Sequence, residues 1–294
     1  MSPHVSIILV NYNSYRDTVE CIESLRKVEY DNFNVIVVDN ASPKEPSADD
    51  LHYIMNNSIY LKENANHGFS GGNNIGIKYA EKHFNSKYIL ILNNDTVVEK
   101  DFLSVLIRHA EEERGIGIVT GKINYYYKKE IINSAGGTFN CNSGMVNHLH
   151  CGEIDHDNRD YVNEITFATG CLWLVPTDLF KKIGYMDESM FLYAEDSEFC
   201  CRVMKNGYKI IYCNASKIYH KENSSTGARS FITQYYYTRN NLYVIDQYAL
   251  KKPYGKTLFI VSLLIRILKR DFQSKPVIQG LKDYKKGIKG QLSM

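Results

Sequence analysis

The chain has 294 residues, 44% of them hydrophobic and 23% charged, with a formal net charge of +2. That length supports one large α/β domain, alone or with a small appendage, and the composition excludes a disordered chain. The near balance of charge argues against a nucleic-acid partner. Seven cysteines, an odd count with no CxxC pair, are not a disulfide framework. The start, Met-Ser-Pro-His4 followed directly by a strand, does not read as a signal peptide, so a cytoplasmic location is expected.

In chain order, Val5 to Val10 reads as a buried strand, and a helix follows over Arg16 to Lys27. Asn34 to Val38 is a second strand, ending in Asp39. Ser47 to Asn56 is helical and Ile59 to Leu61 is a short third strand. A glycine-rich turn, Gly68 to Gly76, opens a helix that runs to His83. Tyr88 to Leu92 is a fourth strand, a helix spans Asp101 to Glu112, and Ile116 to Thr120 is a fifth strand. Buried strands alternating with helices predict a mostly parallel sheet with helices on both faces.

Residues 122–164 lack periodicity and read as strands and loops laid over the sheet. Thr166 to Val175 then reads as a strand, with helices from Thr177 and over Glu195 to Asn206, and a strand over Lys209 to Cys213. The tail is helical, over Arg229 to Tyr248 and Gly255 to Arg270. No apolar stretch reaches the roughly 20 residues that span a bilayer. Leu258 to Leu268 is short, and Arg266 interrupts it. Its flanks are basic: Lys251, Lys252 and Lys256 before it, Lys269, Arg270 and Lys275 after. Such a helix lies on an anionic membrane or docks on its own domain.

In an open parallel sheet, ligands bind beyond the carboxyl ends of the strands. Asn11-Tyr-Asn13, Asp39 and Asn94-Asp95 sit at such ends. No GxGxxG and no P-loop follow the first strand, which argues against dehydrogenase and phosphate-loop readings. Each polar group also has a plainer reading. Asp39-Asn-Ala-Ser42 is good turn chemistry, Asn93-Asn-Asp95 suits a cap, and Glu195-Asp196 are ordinary first-turn acids. His148, His150, Cys151 and His156 match no standard zinc spacing.

Five motifs occur in one order: Val5-Ser-Ile-Ile-Leu-Val-Asn-Tyr-Asn13, Ile36-Val-Val-Asp-Asn-Ala-Ser42, Asn66-His-Gly-Phe-Ser-Gly-Gly-Asn-Asn74, Leu90-Ile-Leu-Asn-Asn-Asp-Thr96 and Glu195-Asp-Ser-Glu-Phe-Cys-Cys-Arg202. Together they resemble the family 2 glycosyltransferases of the GT-A fold, over about residues 4–245, in the branch that includes bacterial rhamnosyltransferases. Gly280-Leu-Lys-Asp-Tyr-Lys-Lys-Gly-Ile-Lys-Gly290 is similar to the tail of that branch.

The resemblance implies a GT-A domain over residues 1–225, its nucleotide-sugar half about 1–120 and its acceptor half about 121–225. A helical region over 226–294, with possible peripheral membrane contact, would follow. The resemblance also implies an inverting transfer from a nucleotide-diphosphate sugar to a glycan or lipid-linked glycan at the inner face of a membrane. The expected donor is dTDP-rhamnose, otherwise a UDP-sugar. Donor-nucleotide contacts are implied for Asn11, Tyr12, Asp39, Gly68, Asn74 and Asn94. A divalent cation, Mn²⁺ or Mg²⁺, would be held by Asp95 and His220, although Asn93 stands where the family has the first acid of a DxD triplet. Asn73 stands where members often carry a basic residue. Asp196 is implied as the general base, with Glu195 beside it. Acceptor or sugar contacts are expected at Trp173, Asp187, Tyr193 and Arg239, with core packing or an ion pair as the alternatives for Trp173 and Arg239. A sugar-phosphate nucleotidyltransferase and a non-catalytic nucleotide- or carbohydrate-binding protein are the rival readings.

Overall fold

A computed structural model describes residues 2–156, 161–221 and 230–292. The first half runs β1 (Val5–Asn11), α1 (Tyr15–Leu25), β2 (Phe33–Asp39), α2 (Ala48–Asn57), β3 (Ile59–Lys62), α3 (Gly68–His83), β4 (Tyr88–Leu92), β5 (Thr96–Val98), α4 (Phe102–Glu112) and β6 (Ile116–Tyr125). The second runs β7 (Lys128–Ser134), β8 (Gly137–Asn140), β9 (Met145–His148), β10 (Val162–Ile165), β11 (Leu172–Pro176), α5 (Thr177–Ile183), α6 (Glu195–Lys205), β12 (Lys209–His220), α7 (Phe231–Tyr248), α8 (Lys252–Leu268) and α9 (Ser274–Lys285).

Strands β1 to β4 are apolar on both faces because helices cover both. Ile7 and Leu9 face the core shared with α1 and α4, while Ile8 between them faces the core shared with α3 and α6. The main sheet has the order β10-β12-β6-β11-β4-β1-β2-β3. β3, β2, β1 and β4 are mutually parallel, as are β6 and β12. This is a mixed α/β fold with a parallel centre. β11 is the departure from the expected pattern: it runs antiparallel between β4 and β6. An antiparallel neighbour needs no crossover helix, so the alternation of strands and helices did not predict it.

Three element boundaries differ from those expected. The Gly68 to Gly76 stretch is not a turn before a helix but the first half of α3. Its glycines serve packing: a Cβ on Gly76 would lie 2.5 Å from Ile8 Cγ2, so only glycine lets α3 lie this close to the sheet. β12 continues from Lys209 through Cys213 to His220, with a bulge between Cys213 and Lys217, which carries His220 to the site. The tail has a third helix, α9, packed along α7, where the Tyr235 hydroxyl donates to Asp283 Oδ2 at 2.8 Å. α7, α8 and α9 share a small core of Leu242, Ile245, Phe259, Leu263 and Val277. The expected domain boundary at 225/226 and the expected helix start at Arg229 lie outside the described residues.

Candidate active site

The carboxyl ends of β1, β2 and β4 open onto one cleft of about 450 Å³. Behind its wall is a closed polar network. Asn11 lies opposite Asp39 in the β1–β2 register, and its Nδ2 donates to Asp39 Oδ1 at 3.0 Å. The other donors to Asp39 are the hydroxyls of Ser42 at 2.5 Å, Tyr15 at 3.0 Å and Tyr60 at 3.1 Å. Four donors around one fully buried carboxylate satisfy the charge that burial would otherwise disfavour. Asn94 is tied down likewise, its Nδ2 donating to Ser14 Oγ and Thr18 Oγ1, both at 2.8 Å.

Nearer the cleft, Asn40 organises the turn before α3. Its Oδ1 accepts from the His67 N–H at 2.9 Å and its Nδ2 donates to the Gly68 carbonyl at 2.9 Å. Gly68 has φ +70°, and a Cβ there would sit 2.1 Å from the Phe191 carbonyl oxygen. No other residue fits.

Asp95, after β4, and His220, at the end of β12, meet in the cleft with Oδ1 and Nε2 3.1 Å apart. Burial disfavours the imidazolium, but Cys171 and Asp95 outweigh it and hold the His220 pKa well above the usual histidine value. Asn93 Nδ2 lies 3.4 Å from His220 Nε2, and the buried Asn93 Oδ1 has no hydrogen-bond partner among the described residues. A carboxylate, an imidazole and an orphaned amide oxygen form a donor set that suits a divalent cation keeping several positions for phosphate and water. A cation there would replace the proton that Asp95 and His220 share.

The wall formed by residues 191–196 is built differently. Phe191, Tyr193 and Ala194 have φ of 62°, 64° and 68°, in the left-handed region that costs a non-glycine residue about 1–2 kcal/mol. Asn240 makes the most contacts with this loop. The fully buried Asn240 of α7 donates Nδ2 to the carbonyls of Met190 (2.7 Å), Leu192 (2.8 Å) and Tyr193 (2.9 Å). Phe191 stacks on Tyr236 with centroids 5.3 Å apart. The strained loop delivers Glu195 and Asp196 to the cleft at the N-terminus of α6.

Asp196 accepts from the Ser197 N–H at 2.7 Å. Burial raises its pKa, opposed by the Ser197 N–H and the charge of His148. Burial, with the neighbouring Asp196 charge, pushes the Glu195 carboxyl up to about 8. Near neutral pH Glu195 therefore holds a proton.

Of the residues expected at the site, Tyr12, Gly68, Asn94, Asp95, Tyr193, Glu195, Asp196 and His220 line this cleft together. Asn11 and Asp39 stand behind its wall. Trp173 is not available to a sugar: it is fully buried under α6, stacks on Phe199 at 5.4 Å and donates Nε1 to the Ala168 carbonyl. Asn74 spends its amide on Met186 and Glu188. Asp187 caps the turn after it, accepting from the Ser189 N–H at 2.9 Å. Arg239 is fully buried and donates to the carbonyls of Gly290 and Met190, bracing the tail against the 190–194 loop.

Five participants were not anticipated: Asn40, Asn240, Tyr236 and the tail residues Gln291 and Leu292, the last two of which line the cleft. The Leu292 N–H donates to the Tyr236 hydroxyl at 2.7 Å. An amide in the middle of the run Tyr237-Thr-Arg-Asn-Asn241 was the one available signal for Asn240.

Residues 6–184 match the family described as Glycosyl transferase family 2. Among curated relatives, the chain is 30% identical over 237 residues to the low-salt glycan biosynthesis hexosyltransferase Agl10 of Haloferax volcanii, covering 76% of this chain and 68% of that one. It is 23% identical over 230 residues to the dTDP-rhamnosyl transferase RfbF of Shigella flexneri, covering 75% and 70%. Among solved structures it superposes on GalNAc-T7, crystallised with UDP, GalNAc and Mn²⁺, with a TM-score of 0.63 at 15% identity, over 83% of this chain and 48% of that one.

Proposed function

Because the chain belongs to glycosyl transferase family 2, we propose that it moves a sugar, with inversion, from a nucleotide-diphosphate donor to a hydroxyl of a glycan or lipid-linked glycan. The observation that carries this reading is one cleft that brings Asp95 and His220 together with Asp196. One in-line displacement needs a leaving-group site and a base in the same cleft.

In the reaction, the acceptor hydroxyl gives its proton to the Asp196 carboxylate as its oxygen bonds to the anomeric carbon. The bond from that carbon to the diphosphate oxygen breaks, and its electron pair leaves with the nucleotide. No covalent enzyme intermediate forms. Asp95 and His220 would hold Mn²⁺ or Mg²⁺, which supplies neutralisation of the departing diphosphate. Gly68, Tyr12 and Asn94 sit where the donor nucleotide would lie. Asp39 reaches the nucleobase only by exchanging the Ser42 or Tyr60 hydroxyl for it; otherwise it acts by fixing Asn11. Glu195, neutral at working pH, is a hydrogen-bond donor to the acceptor. Tyr193 and Tyr236 offer flat faces to a sugar ring.

The first-choice donor is dTDP-rhamnose, supported by the likeness to RfbF, with UDP-sugars next. An acceptor carried on lipid would place the protein at the inner face of a membrane.

Thermal melts with dTDP, UDP and GDP, each with and without Mn²⁺, test the donor side, because a ligand that binds only the native state raises Tm. A Tm rise with dTDP that requires Mn²⁺ is expected. The absence of any nucleotide-dependent rise in folded protein would overturn the reading.

A further inference from the structure

The charge of this chain is segregated. Residues 1–250 hold 24 of its 35 Lys and Arg and 31 of its 33 Asp and Glu. Residues 251–294 hold the other 11 basic residues and only Asp271 and Asp283. Within this basic segment, α8 carries apolar residues on two faces. One face, with Phe259 and Leu263, packs into the small core against α7. The other shows Tyr254, Leu258, Val261, Ile265 and Leu268 at helical spacing, from 37% to 82% exposed, flanked by Ile260 and Leu264. No charge interrupts that stripe. Of the three cations within the helix, two are turned aside: Lys256 pairs with Asp246 at 2.5 Å, and Arg266 lies over the Tyr237 and Phe272 rings. The free cations cluster at the ends instead, with Lys251 and Lys252 exposed before the stripe and Lys269 and Arg270 after it.

We infer that the outer face of α8 docks in the interface of an anionic lipid bilayer, with its basic ends on the headgroups. The pattern fits that occupant better than a protein partner. An uncharged stripe of side chains enters the acyl boundary, and cations at both ends meet negative phosphates, with Asp271 the one acid beside them. A helix of 17 residues, about 25 Å long, lies in the interface. No helix among the described residues is long and apolar enough to cross it. The docking surface is separate from the cleft, and its test needs no donor or acceptor.

The experiment is flotation of the full chain with vesicles of phosphatidylcholine, and of phosphatidylcholine mixed with phosphatidylglycerol. Strong binding to the mixture, weakened by salt, is expected, with at least tenfold less on the neutral vesicles. The double variant Lys269→Gln, Arg270→Gln should lose about fivefold for each charge removed. Val261→Asp with Ile265→Asp should abolish flotation while leaving Tm and its nucleotide dependence unchanged, because both side chains are solvent-exposed. No flotation of the wild type, or flotation unaffected by either double variant, would overturn the inference. So would a concentration-dependent dimer in sedimentation that the Asp variant dissolves, since the occupant would then be a second copy.

Discussion

The two walls of the cleft are made of the same few residue types and held by opposite means. On the donor wall, three asparagines are matched to partners: Asn11 to Asp39, Asn94 to Ser14 and Thr18, Asn40 to the 67–68 turn. These contacts rest on strand ends of the sheet. On the base wall, three non-glycine residues in the left-handed region are held chiefly by the amide of Asn240, and Glu195 Oε2 is buried without a partner among the described residues. The lesson is that the donor side rests on paired side chains at strand ends, whereas the base side holds a strained loop from one helix. Single substitutions should therefore act on binding weakly and on turnover strongly.

The largest effect tests the base. Asp196→Asn keeps the shape and removes the proton acceptor, so kcat should fall about 10²–10⁴-fold. The Tm rise with nucleotide and Mn²⁺ should persist. Loss of nucleotide binding in this variant would break the division between walls. Next comes His220→Ala, which should abolish the Mn²⁺ dependence of that Tm rise and lower turnover about 10–100-fold, the usual cost of disturbing a metal's ligand environment. If the nucleotide-induced rise in His220→Ala still requires Mn²⁺, the assignment of that residue fails.

Much of this division could be read from the chain. The buried runs of β1, β2 and β4, and the polar residues closing each one, announced a parallel sheet with a site at its carboxyl edge. Asp95 and His220, 125 positions apart in sequence, were joined only by resemblance; the bulged β12 is what brings them together. What stayed hidden was tertiary. Composition cannot tell a tryptophan that faces a sugar from one stacked on Phe199, and an arginine beside tyrosines reads the same whether it meets a phosphate or a backbone carbonyl. The positive φ of Phe191, Tyr193 and Ala194 left no glycine to mark it, because the strain is sustained chiefly by Asn240, nearly 50 residues away.

Asn240→Ala therefore probes the strained wall directly. The Leu192 and Tyr193 carbonyls lose this donor, while Met190 keeps Arg239 and the Leu192 N–H, at a stability cost of about 1–3 kcal/mol. The loop then relaxes toward unstrained φ values. We expect kcat to fall about tenfold with the donor KM unchanged, since a small misplacement of a catalytic group costs turnover first. An equal change in donor KM would mean that Asn240 supports the whole cleft and not one wall.

The smallest effect is a pH dependence of stability. Glu195 has its carboxyl raised from 4.5 to about 8 by burial and by Asp196. A raised folded pKa contributes stability that is full below the unfolded value and is lost as pH climbs through the folded one. The relevant window is thus about pH 4.5 to 8. Glu195→Gln mimics the protonated acid and has no proton to lose, while Asp196 titrates in both proteins. The variant should melt close to wild type at pH 5 and several degrees above it at pH 9, given about 2–4 °C per kcal/mol for a chain approaching this size. A constant gap between the two melting curves from pH 5 to pH 9 would show that Glu195 is charged throughout. The base wall would then carry two anions, and Glu195 could not donate a hydrogen bond to the acceptor.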